Sequence, residues 1–208
     1  VMLGAMYASG VEVKINIFEG EKVIIERINI VGNSVTNDDV IRSEMLVDEG
    51  DPFSKLLVNK SINEIKARRI FSNVDYKALP GSSDDLKILE VTVEETSTGE
   101  VMAGAGVSTD GTNFQFAVKE NNWMGKGISV DSFLSFTNSK VSGNLYINNP
   151  NWRYSGNSLI TGVDVSSTDR SGTTGYASNR TGLSLGTNFE QYENIRLSPS
   201  IDIVLEAA

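Results

Sequence analysis

A chain of 208 residues with neither histidine nor cysteine has a short list of side chains that can do chemistry: carboxylates, lysines, arginines and hydroxyls. The commonest general base and metal ligand is missing, and with it every disulfide, thiolate nucleophile and thiolate metal site. A nucleophile and its base would have to come from lysine, carboxylate and hydroxyl groups, and no such set is grouped along the chain. Carboxylates do occur in pairs, at Asp38-Asp39, Asp84-Asp85 and Glu94-Glu95, and doublets of this kind serve acid–base and calcium chemistry elsewhere. Their settings point to plainer duties, since they fall at a predicted helix start, in a hairpin loop and at a strand end. Gly104-x-Gly106 lies inside an alternating run rather than at a strand-to-helix turn, so it fails as a phosphate loop. A formal charge of −9 and a pI near 4.6 leave no basic face for nucleic acid. The residues therefore predict no enzyme, no metal, no cofactor and no nucleic-acid partner.

What these residues are mounted on changes near Thr98. The first 98 residues carry 11 basic and 17 acidic side chains and 6 glycines; the last 110 carry 7, 10 and 13. Such a shift marks a domain boundary at about Thr96 to Gly99. No run of 18 apolar residues occurs, which excludes a membrane-spanning helix but not a spanning β-barrel. Val1 to Gly10 lacks both a basic start and a small-residue cleavage site, so it is not read as a signal peptide. Both ends are expected to be cut from a longer polypeptide.

In the first part, Val11 to Ile17 alternates and runs into Glu19-Gly20, and residues 1–20 are expected to be the tail of a preceding module. A second unit, 21–97, opens with a β-branched run from Val23 to Val31. Thr36-Asn-Asp-Asp39 then supplies a capping-box-like start for a helix from about Asn37 to Leu46, closed by Gly50-Asp51-Pro52. From Ser54, Val58, Ile62 and Ile65 recur at helical spacing, giving a second helix that ends near Arg69, where Arg68-Arg69 suit its dipole. Asn73 to Leu79 and Leu86 to Glu94 read as strands joined by the Pro80-Gly81 loop. The predicted order is β-α-α-β-β.

After Gly99 the period becomes two. Val101, Ala103, Ala105 and Val107 open a series of seven alternating segments, the last running from Ile195 to Leu205, most of them about 9–13 residues, the length of a tilted bilayer-crossing strand. One face of each is apolar and the other is Gly, Ser, Asn and Thr with few charges, which suits a polar lumen better than the outside of a soluble sheet. Trp123, Trp152, Tyr154 and Tyr192 gather at every second turn, as a membrane-interface girdle would require. The intervening connections, Thr109 to Thr112, Asn138 to Lys140 and Thr168 to Gly175, fall at the opposite ends. In Val101, Met102, Ala103, Gly104, Ala105, Gly106 and Val107 both faces are thin, and such a strand pairs loosely and offers its backbone to another chain.

Four segments in order, Asp48-Glu-Gly-Asp-Pro-Phe53, Gly104-Ala-Gly106-Val-Ser-Thr-Asp-Gly111, Lys119-Glu-Asn-Asn-Trp-Met-Gly-Lys-Gly127 and Asn149-Pro-Asn-Trp152, make the chain resemble the Omp85 family from about Val11 to Leu205. The resemblance implies an α+β POTRA module at 21–97 followed, at 98–208, by the first seven strands of an antiparallel transmembrane barrel in the Gram-negative outer membrane. It implies a factor that receives unfolded outer-membrane proteins in the periplasm and inserts them among outer-membrane lipids, with Val101 to Val107 accepting a client strand by β-augmentation. It also implies that Glu49 contacts a lipoprotein subunit of the assembly complex. The exposed edge of the POTRA sheet, Asn73 to Leu79 or Val23 to Val31, is a further place for extended chains to pair. Two alternatives stand beside it: a two-partner secretion transporter that exports polypeptide through its barrel, and a soluble two-domain β-rich binding module.

Overall fold

The computed structural model describes residues 22–108, 111–192 and 195–207. The expected tail of a preceding module, 1–20, lies outside the described residues, as does the start of the connection expected at Thr109.

The first unit is built as β1 (Ile24–Val31), α1 (Asp38–Arg42), α2 (Lys55–Ala67), β2 (Phe71–Pro80) and β3 (Leu86–Glu95). Its sheet runs β1-β3-β2, with β1 parallel to β3 and β2 antiparallel to it. Ser54 caps α2 by accepting the Leu57 N–H on its hydroxyl, 3.4 Å away, and the predicted stripe Val58, Ile62 and Ile65 is buried against Ile25, Ile28, Val74, Leu89, Val91 and Val93. Every buried large apolar side chain among the described residues belongs to this unit.

The first helix is much shorter than the expected span from Asn37 to Leu46. It stops at Arg42 because the next N–H groups tighten into bonds to Ile41 and Arg42 carbonyls, and the Leu46 N–H leaves the helix for the Ser61 hydroxyl at 2.8 Å. Ser61 in turn donates to the Leu57 carbonyl of α2, so one fully buried hydroxyl ends one helix while resting on the other. The capping box is absent too: Asn37 makes no side-chain cap bond.

The second unit is one meander of antiparallel strands: β4 (Gly99–Ser108), β5 (Gly111–Trp123), β6 (Ile128–Phe136), β7 (Lys140–Asn149), β8 (Ser158–Arg170), β9 (Tyr176–Tyr192), β10 (Ile195–Leu197) and β11 (Ser200–Ala207). A 3-10 turn, Trp152–Tyr154, joins β7 to β8, and a one-turn helix, α3 (Ser171–Thr174), joins β8 to β9. The expected seventh strand is thus split. Proline has no N–H for a ladder, and at Pro199 the chain parts, its carbonyl still accepting from Thr187. The register survives the break, with Leu197 opposite Phe189 and Ser200 opposite Gly186.

The cross-strand register sorts the two faces. Val101, Val118, Ser132, Leu145, Val163, Leu183 and Ile203 stand side by side across the sheet, and the next row on the other face is Glu100, Lys119, Asp131, Tyr146, Gly162, Ser184 and Asp202. Nothing among the described residues packs on the apolar face, where Phe114, Phe116, Leu134, Leu145, Leu183, Leu185 and Ile201 are all exposed. Burying a side chain of this size is worth about 1.5–3 kcal/mol, and a domain's whole stability is about 5–15 kcal/mol. A face this apolar needs a cover, and a bilayer supplies one along the whole sheet.

Candidate functional site

The candidate pairing strand, β4, is paired along its whole length with β5, from Gly99 opposite Glu120 to Ser108 opposite Gly111, without a bulge. Among the described residues its other edge has no partner strand. Val101 and Val107 are 80% and 87% exposed and Met102 is exposed between them. Ala103 and Ala105 share the face of Val101, while Gly104 and Gly106 lie on the opposite one. A Cβ built on either glycine would meet nothing within 4 Å. No neighbour in the described chain requires their smallness, so its consequence is a strand with little side-chain packing on either face.

Below the barrel strands, the first unit is fastened to the sheet through the β5–β6 turn. A bulge between Glu120 and Trp123 takes Asn122 out of the ladder and turns it into a buried link. Its amide donates to the Thr36 hydroxyl at 2.8 Å, and its side-chain oxygen accepts the Gly127 N–H at 2.8 Å. Beside it the Asn37 N–H donates to the Gly125 carbonyl at 2.8 Å. The backbones cross so closely that a Cβ on Gly125, at φ +71°, would sit 2.0 Å from the Val35 carbonyl oxygen; only glycine fits that crossing. Arg68, which closes α2, donates to the Gly127 carbonyl at 2.6 Å and lies 3.7 Å from Glu44.

The loop that receives this turn is itself held by a carboxylate. Glu95, the last residue of β3, accepts the N–H groups of Ser34, Val35 and Thr36 and the Ser34 hydroxyl at 2.6–3.1 Å. Partial burial opposes ionisation, but these hydrogen bonds, to which the Thr36 hydroxyl contributes, outweigh it and bring the carboxyl down to about 2 from its ordinary value near 4.5. Thr36, Asn122, Arg68 and Glu95 are far apart in the chain and were not legible in the sequence as one set. The only sign of it was the unusual density of Asn and Gly in Asn121 to Gly127.

Glu49 is exposed, and it also has a structural partner. It accepts the Ile28 N–H at 3.0 Å on the outer edge of β1, and Arg42, 3.7 Å from it, donates to the Ile28 carbonyl. With the backbone of Gly50, Asp51 and Phe53 bonded to Ile25 and Val23, the β1 edge is covered over Val23 to Ile28. The β2 edge has no partner strand among the described residues. Trp123, Trp152, Tyr154 and Tyr192 are all exposed, at the end of the sheet where the first unit is attached. Tyr154 faces that unit: its hydroxyl donates to Asp39 at 3.0 Å.

Residues 23–96 match the POTRA family, described as a surface antigen variable number repeat. The outer membrane protein assembly factor BamA of Nitratidesulfovibrio vulgaris is 34% identical over 137 residues, 59% of this chain and 17% of that protein. The putative outer membrane protein assembly factor of Treponema pallidum is 38% identical over 130 residues, 58% of this chain and 15% of that one. The chain thus spans about a sixth of the length of these curated relatives. Among solved structures, BamA from Haemophilus ducreyi lacking POTRA domains 1–3 superposes with a TM-score of 0.74 at 22% identity, over 90% of this chain and 36% of that one. CdiB from Escherichia coli does so less well, with a TM-score of 0.63 at 14% identity, over 89% and 37%. Residues 23–96 form a POTRA module, and the fold is that of such a module carried on an outer-membrane-type β-barrel. Both curated relatives that it matches here are named outer membrane protein assembly factors, one of them as putative.

The Glu95 bonds make a pH prediction. A carboxyl depressed on folding contributes stability in full above its unfolded value near 4.5, and that contribution is lost as pH falls toward about 2. Thermal unfolding of the POTRA unit should show Glu95→Gln less stable than the parent at neutral pH, with the gap closing between about pH 5 and about pH 2. A gap that stays constant through this range would remove Glu95 from the account.

Proposed function

We infer that the protein to which this chain belongs is an outer-membrane β-barrel assembly factor, with its POTRA module in the periplasm and its barrel in the outer membrane. The observation that carries this is the make-up of β4, with Gly104 and Gly106 on one face and Ala103 and Ala105 on the other leaving it little side-chain packing, in a chain whose sequence relatives are assembly factors. An unfolded barrel precursor entering lipid faces a cost of several kcal/mol for each unpaired backbone group. The outer edge of β4, Val101 to Val107, pairs those groups as they arrive, by β-augmentation. Because few side-chain contacts hold β4 to its neighbours, a client strand that pairs there can later be released. The reaction makes and breaks hydrogen bonds only and calls for no catalytic residue and no cofactor.

Client chains first meet the POTRA module, whose β2 edge, Phe71–Pro80, is open for an extended segment. Glu49 is the contact for a lipoprotein subunit of the assembly complex, and Trp123, Trp152 and Tyr192 anchor the barrel at the periplasmic lipid interface. Tyr154 shares that level while binding Asp39. The export alternative is not favoured, since the likeness to CdiB is the weaker one, and the uncovered apolar face disfavours the soluble module.

Single cysteines placed along Val101 to Val107 in the full-length protein, paired with cysteines in the terminal strand of a barrel client, should crosslink in one register during client folding. Absence of crosslinks at every position, with the parent assembled and the client folding, would reduce β4 to an ordinary barrel strand. For Glu49, substitution by Gln keeps an acceptor for the Ile28 N–H and removes the charge. Lipoprotein capture should fall while the POTRA melting point is held; unchanged capture would leave Glu49 with only its structural bond.

A further inference from the structure

Between the POTRA module and the barrel lies a groove of about 230 Å³, and none of the side chains that line it is acidic. In a chain of net charge −9 this is a local reversal, because Arg68, Lys126 and Arg153 all border the groove together with Asn37, Asn149 and Asn151. The barrel side of the groove includes Ile128, which shares a face of β6 with Val130 and Leu134, and Asn149, which shares a face of β7 with Leu145 and Ile147. Those are the apolar, lipid-facing sides of the two strands. The groove therefore opens where the apolar band ends on the periplasmic side, the depth at which a bilayer places its phosphates.

Two further observations concern the same turn. Arg153 and Tyr154 are consecutive non-glycine residues in the left-handed region, at φ 54° and 57°, a conformation that costs about 1–2 kcal/mol per residue. What it achieves is placement: the Arg153 guanidinium lies 5.7 Å from the centre of the exposed Trp152 ring, and the Tyr154 hydroxyl is tied to Asp39. An arginine beside a tryptophan is suited to the boundary between hydrocarbon and headgroups. Arg68 borders the groove with its Nε buried 3.7 Å from Glu44 and its Nη2 bonded to the Gly127 carbonyl, so it is held in place there as a fixed positive charge. A neighbouring hollow of about 340 Å³ shares Ser43, Asn151 and Tyr154 with the groove and is lined also by Asp39 and Arg42, which gives room, beside one carboxylate, for the uncharged hydroxyls of a headgroup.

We propose that the groove bordered by Arg68, Lys126 and Arg153 binds the phosphodiester of an anionic phospholipid from the periplasmic leaflet. The proposal rests on the reading of β4 to β11 as membrane-embedded. Such a lipid would fasten the POTRA–barrel junction from the membrane side, its phosphate between cations of both units and its chains against Ile128 and the band above it. Clustered cations at a membrane surface are worth about fivefold in lipid affinity each at low salt.

The test uses the full-length protein in nanodiscs of phosphatidylcholine with a minority of phosphatidylglycerol, with co-purifying lipid read by native mass spectrometry after detergent release. The parent should retain phosphatidylglycerol over phosphatidylcholine. Lys126→Gln with Arg153→Gln should lower that retention about twenty-five-fold. Arg153→Lys should keep it, which guards against a turn that merely fails to form. Lys140→Gln, the same charge change on the opposite side of the membrane, should leave it unchanged. Equal retention by the parent and the double variant would overturn the proposal. Displacement of the lipid by inorganic phosphate at comparable concentration would also overturn it, in favour of a site for soluble phosphate. If the heat-modifiable folded barrel band is absent from nanodiscs of either composition, the membrane reading fails and the proposal with it; with that band present, any loss of preference belongs to the groove alone.

Discussion

A peptide group in hydrocarbon must be paired, because no water is there to take its place. In the sheet from β4 to β11 every internal strand meets this requirement through ladders on both sides, interrupted at the β5–β6 bulge and at Pro199, and the rest of the second unit follows from it. The ladder sets the register, the register puts Val118, Leu145, Val163 and Leu183 on one face and Lys119, Asp131, Tyr146 and Ser184 on the other, and the apolar face then needs lipid. The requirement bears hardest on the outermost strands, β4 and β11, which the described chain pairs on one side only, and of the two β4 has the smaller side chains. A strand in that position has to find hydrogen bonds somewhere, and its small side chains decide how tightly it holds those it finds.

The POTRA contact bears on the same strand. Asn122 sits at the end of β5, the only partner of β4 among the described residues, and its side chain reaches Thr36 while closing the turn through Gly127. Glu120, two residues earlier, accepts from the Thr98 hydroxyl and from the Asn122 N–H, so the three-residue linker between β3 and β4 is tied to the same bulge. The base of the pairing strand, the linker and the POTRA loop therefore form one hydrogen-bonded body. The open edge begins immediately above it. This geometry fixes the POTRA module relative to the edge of β4.

Much of the architecture was legible in the sequence because two periodicities carry it. The helical spacing of Val58, Ile62 and Ile65 and the strict alternation after Gly99 each follow from which face is buried, and burial is a local signal. The features that were not legible depend on partners distant in the chain. Helix α1 ends where Ser61 captures the Leu46 N–H, fifteen residues away, and no breaker residue announces it. Thr36 looked like a helix cap, yet its hydroxyl belongs to Asn122, 86 residues on. Pro199 was visible, but the alternation continued through it, since the register on both sides of the break is the same. The pairing strand itself was legible as composition, while its lack of neighbours at Gly104 and Gly106 required coordinates.

The central claim is that β4 is a weakly held edge that clients complete, and hydrogen exchange on the full-length protein in bilayers addresses it directly. Amides of Gly99–Ser108 should exchange about tenfold or more faster than those of Lys140–Asn149, which are paired on both sides. Adding an unfolded barrel precursor should slow the β4 amides and leave β7 unaltered. Protection of β4 equal to that of β7, unchanged by the precursor, would contradict the account.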